Sequence, residues 1–95
     1  MARYIALFKF TDQGCKNIKE STSRARAFAK QASKAGVKVD GQYWTVGRFD
    51  GVVILSAESE QTILKLLTEL ASLGNVRTQT LQAFSDKEFD GILKG

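Results

Sequence analysis

Two residues near a predicted turn, Trp44 and Asp50, and Arg77 further along are the side chains best able to carry chemistry. An arginine can take a carboxylate or phosphate through paired N–H donors. Asp50 can accept a hydrogen bond or serve as a base. The chain has no histidine and one cysteine, Cys15. The usual general base, the commonest zinc ligand and the usual haem ligand are therefore missing, and no Ser-His or Cys-His nucleophile can be assembled within the chain. A single cysteine forms no intramolecular disulfide and fits a reducing compartment. Chemistry would fall to Asp, Glu, Arg, Lys or Tyr, and neither a metal site nor a resident cofactor is expected.

The elements that must position these residues follow from hydrophobic period and punctuation. RYIALFKF, residues 3–10, alternates as a strand. Thr11-Asp12-Gln13-Gly14 breaks it, with Asp12 read as the N-cap of a short turn to about Lys19 and Ser21 as the cap of the main helix. That helix places Ala25, Phe28, Ala29 and Ala32 on one face and ends at Gly36. A second strand runs from Val37 to about Val46. Asp40-Gly41 could make it a tight hairpin, but the arms are too short, so a bulge at Gly41 is expected. The turn Gly47 to Asp50 leads to a third strand, Gly51 to Ser56. Ile63, Leu66, Leu67, Leu70 and Leu73 form one apolar stripe on a helix from about Ser59 to Leu73, with Glu58 and Glu60 at its positive end. Gly74 stops it, NVRTQTLQAF reads as a fourth strand, and Ser85 to Glu88 is a capping box opening a last helix with Phe89, Ile92 and Leu93.

This order, βαββαβ plus a terminal helix, predicts one α+β domain over residues 1–95. Right-handed crossovers make it ferredoxin-like, a four-stranded antiparallel sheet of order 4-1-3-2 with both main helices on one face. Thr11, Asp12, Asn17, Trp44, Arg48, Asp50, Asn75, Arg77 and Thr78 then gather at one end of the sheet, an expected polar pocket with an aromatic wall. Each has a plainer reading: Trp44 as core or interface filling, and Asp50 as no more than a partner for Arg77, a pairing that is weak evidence for stability.

Both faces of the sheet ask for burial. Val52 to Leu55 is continuously apolar, and the first strand puts Ile5 and Leu7 on one side, Tyr4, Ala6, Phe8 and Phe10 on the other. Two helices cover one face, so the other is expected to pack on a second copy in a two-fold dimer. The alternative is a monomer whose terminal helix folds over it.

At 43% hydrophobic and 25% charged residues the composition is that of an ordinary globular chain. No apolar run approaches a membrane span and no secretory signal is read, so a cytoplasmic protein is expected. The net charge of +4 is concentrated in Lys16, Lys19, Arg24, Arg26, Lys30, Lys34 and Lys38, against Glu20 alone. Arg26, Lys30 and Lys34 stripe one helix face, which could attract an anionic partner or simply be solvated. A base-stacking sheet would show aromatics on its third strand. GRFDGVVIL shows Val, Val, Ile and Leu there, so nucleic acid is disfavoured.

TDQGCKNIKES, YWTVGRFDGVVILSA and GNVRTQTLQAF together resemble, in order and spacing over nearly the whole chain, the small bacterial proteins of the GYD domain family. The family's Gly-Tyr-Asp motif falls at Gly47, Phe49 and Asp50, with Phe for Tyr, so a role of that hydroxyl is lost. The usual Pro after Ser21 is Thr22. The resemblance implies a ferredoxin-like fold of the dimeric α+β barrel superfamily. It implies little about activity: superfamily relatives include cofactor-free and haem-using monooxygenases, chlorite dismutase-like enzymes and ligand-sensing domains, and fold alone transfers none of these. Without histidine the haem branch loses its usual axial ligand.

The leading expectation is a homodimeric module that binds or senses a small anionic metabolite, with Thr11, Asn17, Trp44, Arg48, Asp50, Asn75, Arg77 and Thr78 at the site. A small cofactor-free oxygenase or isomerase with Asp50 as base and Arg77 stabilising negative charge is the first alternative. Nucleic-acid or protein binding through the basic helix face is the second.

Overall fold

The computed structural model describes residues 2–95. Strand β1 (Ala2–Phe10) is followed by a short helix α1 (Asp12–Lys16), a 3-10 turn (Ile18–Glu20) and α2 (Ser21–Lys34). Then come β2 (Lys38–Trp44), β3 (Gly51–Ala57), α3 (Glu60–Ser72), β4 (Val76–Gln82) and α4 (Asp86–Lys94). The strands are ordered β2-β3-β1-β4, the expected 4-1-3-2 read from the other edge, and all neighbours are antiparallel. The fold is α+β and ferredoxin-like.

Alternation along the strands decides which residues meet the helices. Ala6, Val53, Leu55 and Ala57 from β1 and β3 are buried against Phe28 and Ala32 of α2 and Ile63, Leu66 and Leu67 of α3. The other face carries Ile5, Leu7, Val52, Ile54, Tyr43 and Leu81, as their cross-strand pairing requires. The two helices are stopped as read, by Gly36 and Gly74, whose φ of 81° and 82° are left-handed values that glycine adopts without penalty. In β2 the register shifts between Val39 and Gly41. The extra residue is Asp40, whose carboxylate accepts from the Ser56 hydroxyl at 3.0 Å.

Three local expectations are corrected. Thr11, not Asp12, caps α1, its hydroxyl accepting from the Gly14 N–H at 3.2 Å. Ser21 is the first residue of α2 rather than its cap, because the 3-10 turn feeds straight into the helix and leaves the hydroxyl free for another bond. Strand β2 ends at Trp44, not Val46, because pairing stops at Trp44 opposite Gly51 and Thr45 closes the turn with its N–H on the Asp50 carbonyl.

The capping box at Ser85 and Glu88 forms as read. The Ser85 backbone N–H and then the Arg3 guanidinium, 2.7 Å away, lower the Glu88 pKa from 4.5 to about 2. Yet α4 buries none of its side chains: Phe89, Ile92 and Leu93 are 53%, 56% and 70% exposed. The terminal helix is an arm, and it is not the cover of the open sheet face.

Candidate functional site

Helices α2 and α3 pack on the sheet rather than closely on each other, and toward one end they leave a chamber of about 170 Å³. Its floor is the helix-facing side of the sheet: Phe8, Phe10, Gln42, Trp44, Val53 and Val76. One wall is α2, from Ser21 through Arg24, Ala25 and Phe28 to Gln31, and the other is the end of α3 with Leu70, Leu73 and Asn75. The space arises from residue size. Ala25 and Ala27 are short where α2 passes over the sheet, and Gly51 has no side chain, so the Phe8 ring lies across the position its Cβ would take. The Phe8 and Phe10 rings stand edge to face, 5.8 Å apart.

Polar groups at the chamber are held by defined partners. The Trp44 indole N–H donates to Ser21 Oγ at 2.9 Å, which fixes the ring against the start of α2 and gives that hydroxyl its use. Gln42 Nε2 donates to the Ala25 carbonyl at 3.1 Å, and Gln31 Nε2 reaches Glu69 of α3 at 3.3 Å. Arg24 is the exception. Its Nη1 donates to the Asn17 carbonyl at 2.8 Å, while its Nη2 is buried and has no hydrogen-bond partner among the described residues. Among those residues no other charged side chain lines the chamber.

Several residues expected at the site are close by, in supporting roles. Asn75 lines the chamber and Asn17 anchors Arg24. Thr11 latches the loop before α1 to the Gly74–Asn75 turn: its hydroxyl donates to the Gly74 carbonyl and its N–H to the Asn75 carbonyl at 3.1 Å. Gly14 completes the latch, since a Cβ there would collide with the Asn75 carbonyl.

The others do not converge. Arg77 pairs with Lys9 across β4 and β1, one residue out of phase with helix-facing Val76, so it lies on the opposite face of the sheet from Trp44. Thr78 faces the helices but stands on edge strand β4, three strands from Trp44, where it lines a second groove beside α3 with Tyr4 and Glu60. In that groove partial burial and then the Glu60 carboxylate raise the Tyr4 phenol above its ordinary pKa. Arg48 is exposed on the turn, its guanidinium 6.0 Å from the Phe49 ring centroid. Asp50 forms no ion pair with Arg77 among the described residues. It splices the turn to β1, accepting from the Phe10 N–H at 2.8 Å through Oδ2 and donating its own N–H to the Phe8 carbonyl at 2.8 Å.

Arg24 was absent from the expected site, and a signal for it existed. It falls four residues before buried Phe28 and three after Ser21, on the helix face turned to the sheet. An arginine on an apolar face is informative, whereas one within a run of basic residues is not. Among the described residues no group of His, Cys, Asp or Glu side chains is placed to hold a metal ion, and no helix is long and apolar enough to cross a membrane.

The GYD domain model matches residues 4–93. A protein of Thermus thermophilus, named glutamine synthetase and cystathionine beta-lyase binding protein, is 32% identical over 95 residues, spanning 99% of this chain and 100% of that protein. No solved structure matches the chain significantly.

Proposed function

The chain belongs to the GYD domain family, and from that premise we propose that it is a homodimeric binding module holding a small anionic metabolite in the chamber between its helices and sheet. The observation carrying this reading is Arg24. A buried N–H without a partner costs about 1–3 kcal/mol, more when the group is charged. Arg24 carries such an N–H and is, among the described residues, the one ionised side chain lining the chamber, so an anion there has its counter-charge beside it. The first turn of α2 adds the positive end of its dipole on the same side, and the tethered Trp44 ring gives the ligand a fixed aromatic wall. The anion-binding role expected of Arg77 passes to Arg24, which lines the chamber.

The dimer rests on the open face. Ile5, Leu7, Val52, Ile54, Tyr43 and Leu81 form an apolar field of two adjoining cross-strand rows, roughly 7 Å apart along the strands and reaching roughly 14 Å across the sheet between Cα positions, a contiguous patch that a second copy would cover. The α4 arm leaves it uncovered and adds an exposed apolar edge of its own. A protein partner is the second part of the reading: the Thermus relative is named for binding two enzymes, and we propose that this module likewise docks on an enzyme.

A native mass spectrum of the protein as purified tests both the ligand and the assembly. The expected result is twice the chain mass with a small non-covalent adduct, and loss of the adduct but not of the dimer in Arg24→Leu. A bare monomer from both proteins would overturn the reading.

A further inference from the structure

We propose that the chamber is selective for an apolar monocarboxylate lacking an amino group, a carboxylate carried on one phenyl ring or on a short branched alkyl chain. This rests on the chamber being the binding site and specifies what it admits. Size sets the first limit. An apolar cavity of about 150 Å³ accommodates benzene, so about 170 Å³ matches one ring or a four- to five-carbon branched chain.

Charge sets the second limit. Among the described residues Arg24 is the only ionised group in the lining, which matches a single negative charge and leaves a phosphate dianion or a dicarboxylate half neutralised. An α-amino acid brings an ammonium group, and no Asp or Glu among those residues lines the chamber to receive it. Burying that cation unpaired carries a heavy desolvation penalty. The deaminated acid with the same tail avoids it.

Hydrogen-bond supply sets the third limit. The indole of Trp44 and the amide nitrogens of Gln42 and Gln31 already donate within the protein. Arg24 carries a charged N–H, on Nη2, that is buried without a partner among the described residues. An apolar carboxylate asks for charge at one end and nothing at the other. Phe8, Phe10, Phe28 and Leu70 supply the apolar surroundings for that other end.

Trp44 is the chain's one tryptophan and lines the chamber, so its fluorescence reports occupancy directly. The test titrates wild type, Arg24→Leu and Arg77→Leu with phenylacetate, 4-methylpentanoate, L-phenylalanine, L-leucine, phenylacetamide and inorganic phosphate, after circular dichroism has shown that each variant folds. The expected result is saturable change with the two acids at concentrations at least tenfold below any response to the amino acids, the amide or phosphate. Arg24→Leu is expected to bind acid and amide alike, and Arg77→Leu to match wild type. Amino acids binding as tightly as the acids, or phosphate binding better than either, would overturn the ligand class while leaving the chamber as an anion site. No response of Trp44 to any probe would overturn the chamber reading itself.

Discussion

Ile54→Glu is expected to give a folded monomer. Ile54 sits at the centre of the open face, opposite Ile5 on β1 and Gly41 on β2, and is half-buried by its neighbours alone. In a single chain the new carboxylate points into water, so the melting temperature should move by a few degrees at most. In a sheet-on-sheet dimer two such carboxylates would be pressed into an apolar layer near the two-fold axis. Desolvation and like-charge repulsion then act together. A loss of about 3 kcal/mol, a modest figure for unpaired buried charge, corresponds to a dissociation constant raised roughly a hundredfold. Sedimentation equilibrium over a concentration series reads this directly. A variant as dimeric as wild type would mean that the open face is not the interface.

The next residue along the strand should behave in the opposite way. Leu55→Ala is expected to lower the free energy of unfolding by about 3 kcal/mol, within the range found for leucines in close-packed cores. Leu55 is 0% exposed, faces the helices, and with Ile63 is among the largest side chains fully enclosed. Ala57 and Val53 on the same strand face are also buried, so the cavity has no mobile neighbour to collapse into it. Urea unfolding at fixed protein concentration measures the loss as a shifted midpoint with unchanged slope. A loss under about 1 kcal/mol would show that the layer between sheet and helices is loosely packed. Adjacent substitutions that separately abolish assembly and stability would be a direct functional reading of strand alternation.

That alternation also explains what could be read in advance. The stripe from Ile63 to Leu70, the stops at Gly36 and Gly74 and the Ser85–Glu88 box each follow from a local rule with no competing pattern, and each is found, while Leu73, expected to end the stripe, is the exposed C-cap of α3. The strand order follows from connection handedness. The misread caps have a physical cause: Thr11 and Asp12 can both accept from the first turn, and tertiary contact with Gly74 selects Thr11. Ser21 is drawn away by Trp44, a partner 23 residues distant that no helix-capping rule contains. The expected pocket failed for a subtler reason. Chain direction tells which end of the sheet a residue reaches, but only parity tells which face, and Arg77 follows Val76 by one residue. The chamber depends on short residues, Ala25, Ala27 and Gly51, but also on the separation of two helices, which no residue pattern encodes.

The central claim is that an anion lies between the helices and the sheet, against Arg24. The most direct measurement is a two-dimensional proton–nitrogen NMR titration with phenylacetate that resolves the Trp44 indole N–H and the arginine Nε–H signals along with the backbone. Trp44, Arg24 and the amides of Ala25, Phe28 and Leu70 are expected to shift together on one saturable curve, while Arg77 and Lys9 on the other face stay still. Shifts centred on Arg77 and Lys9 with Arg24 unmoved would contradict the claim and move the anion to the open face.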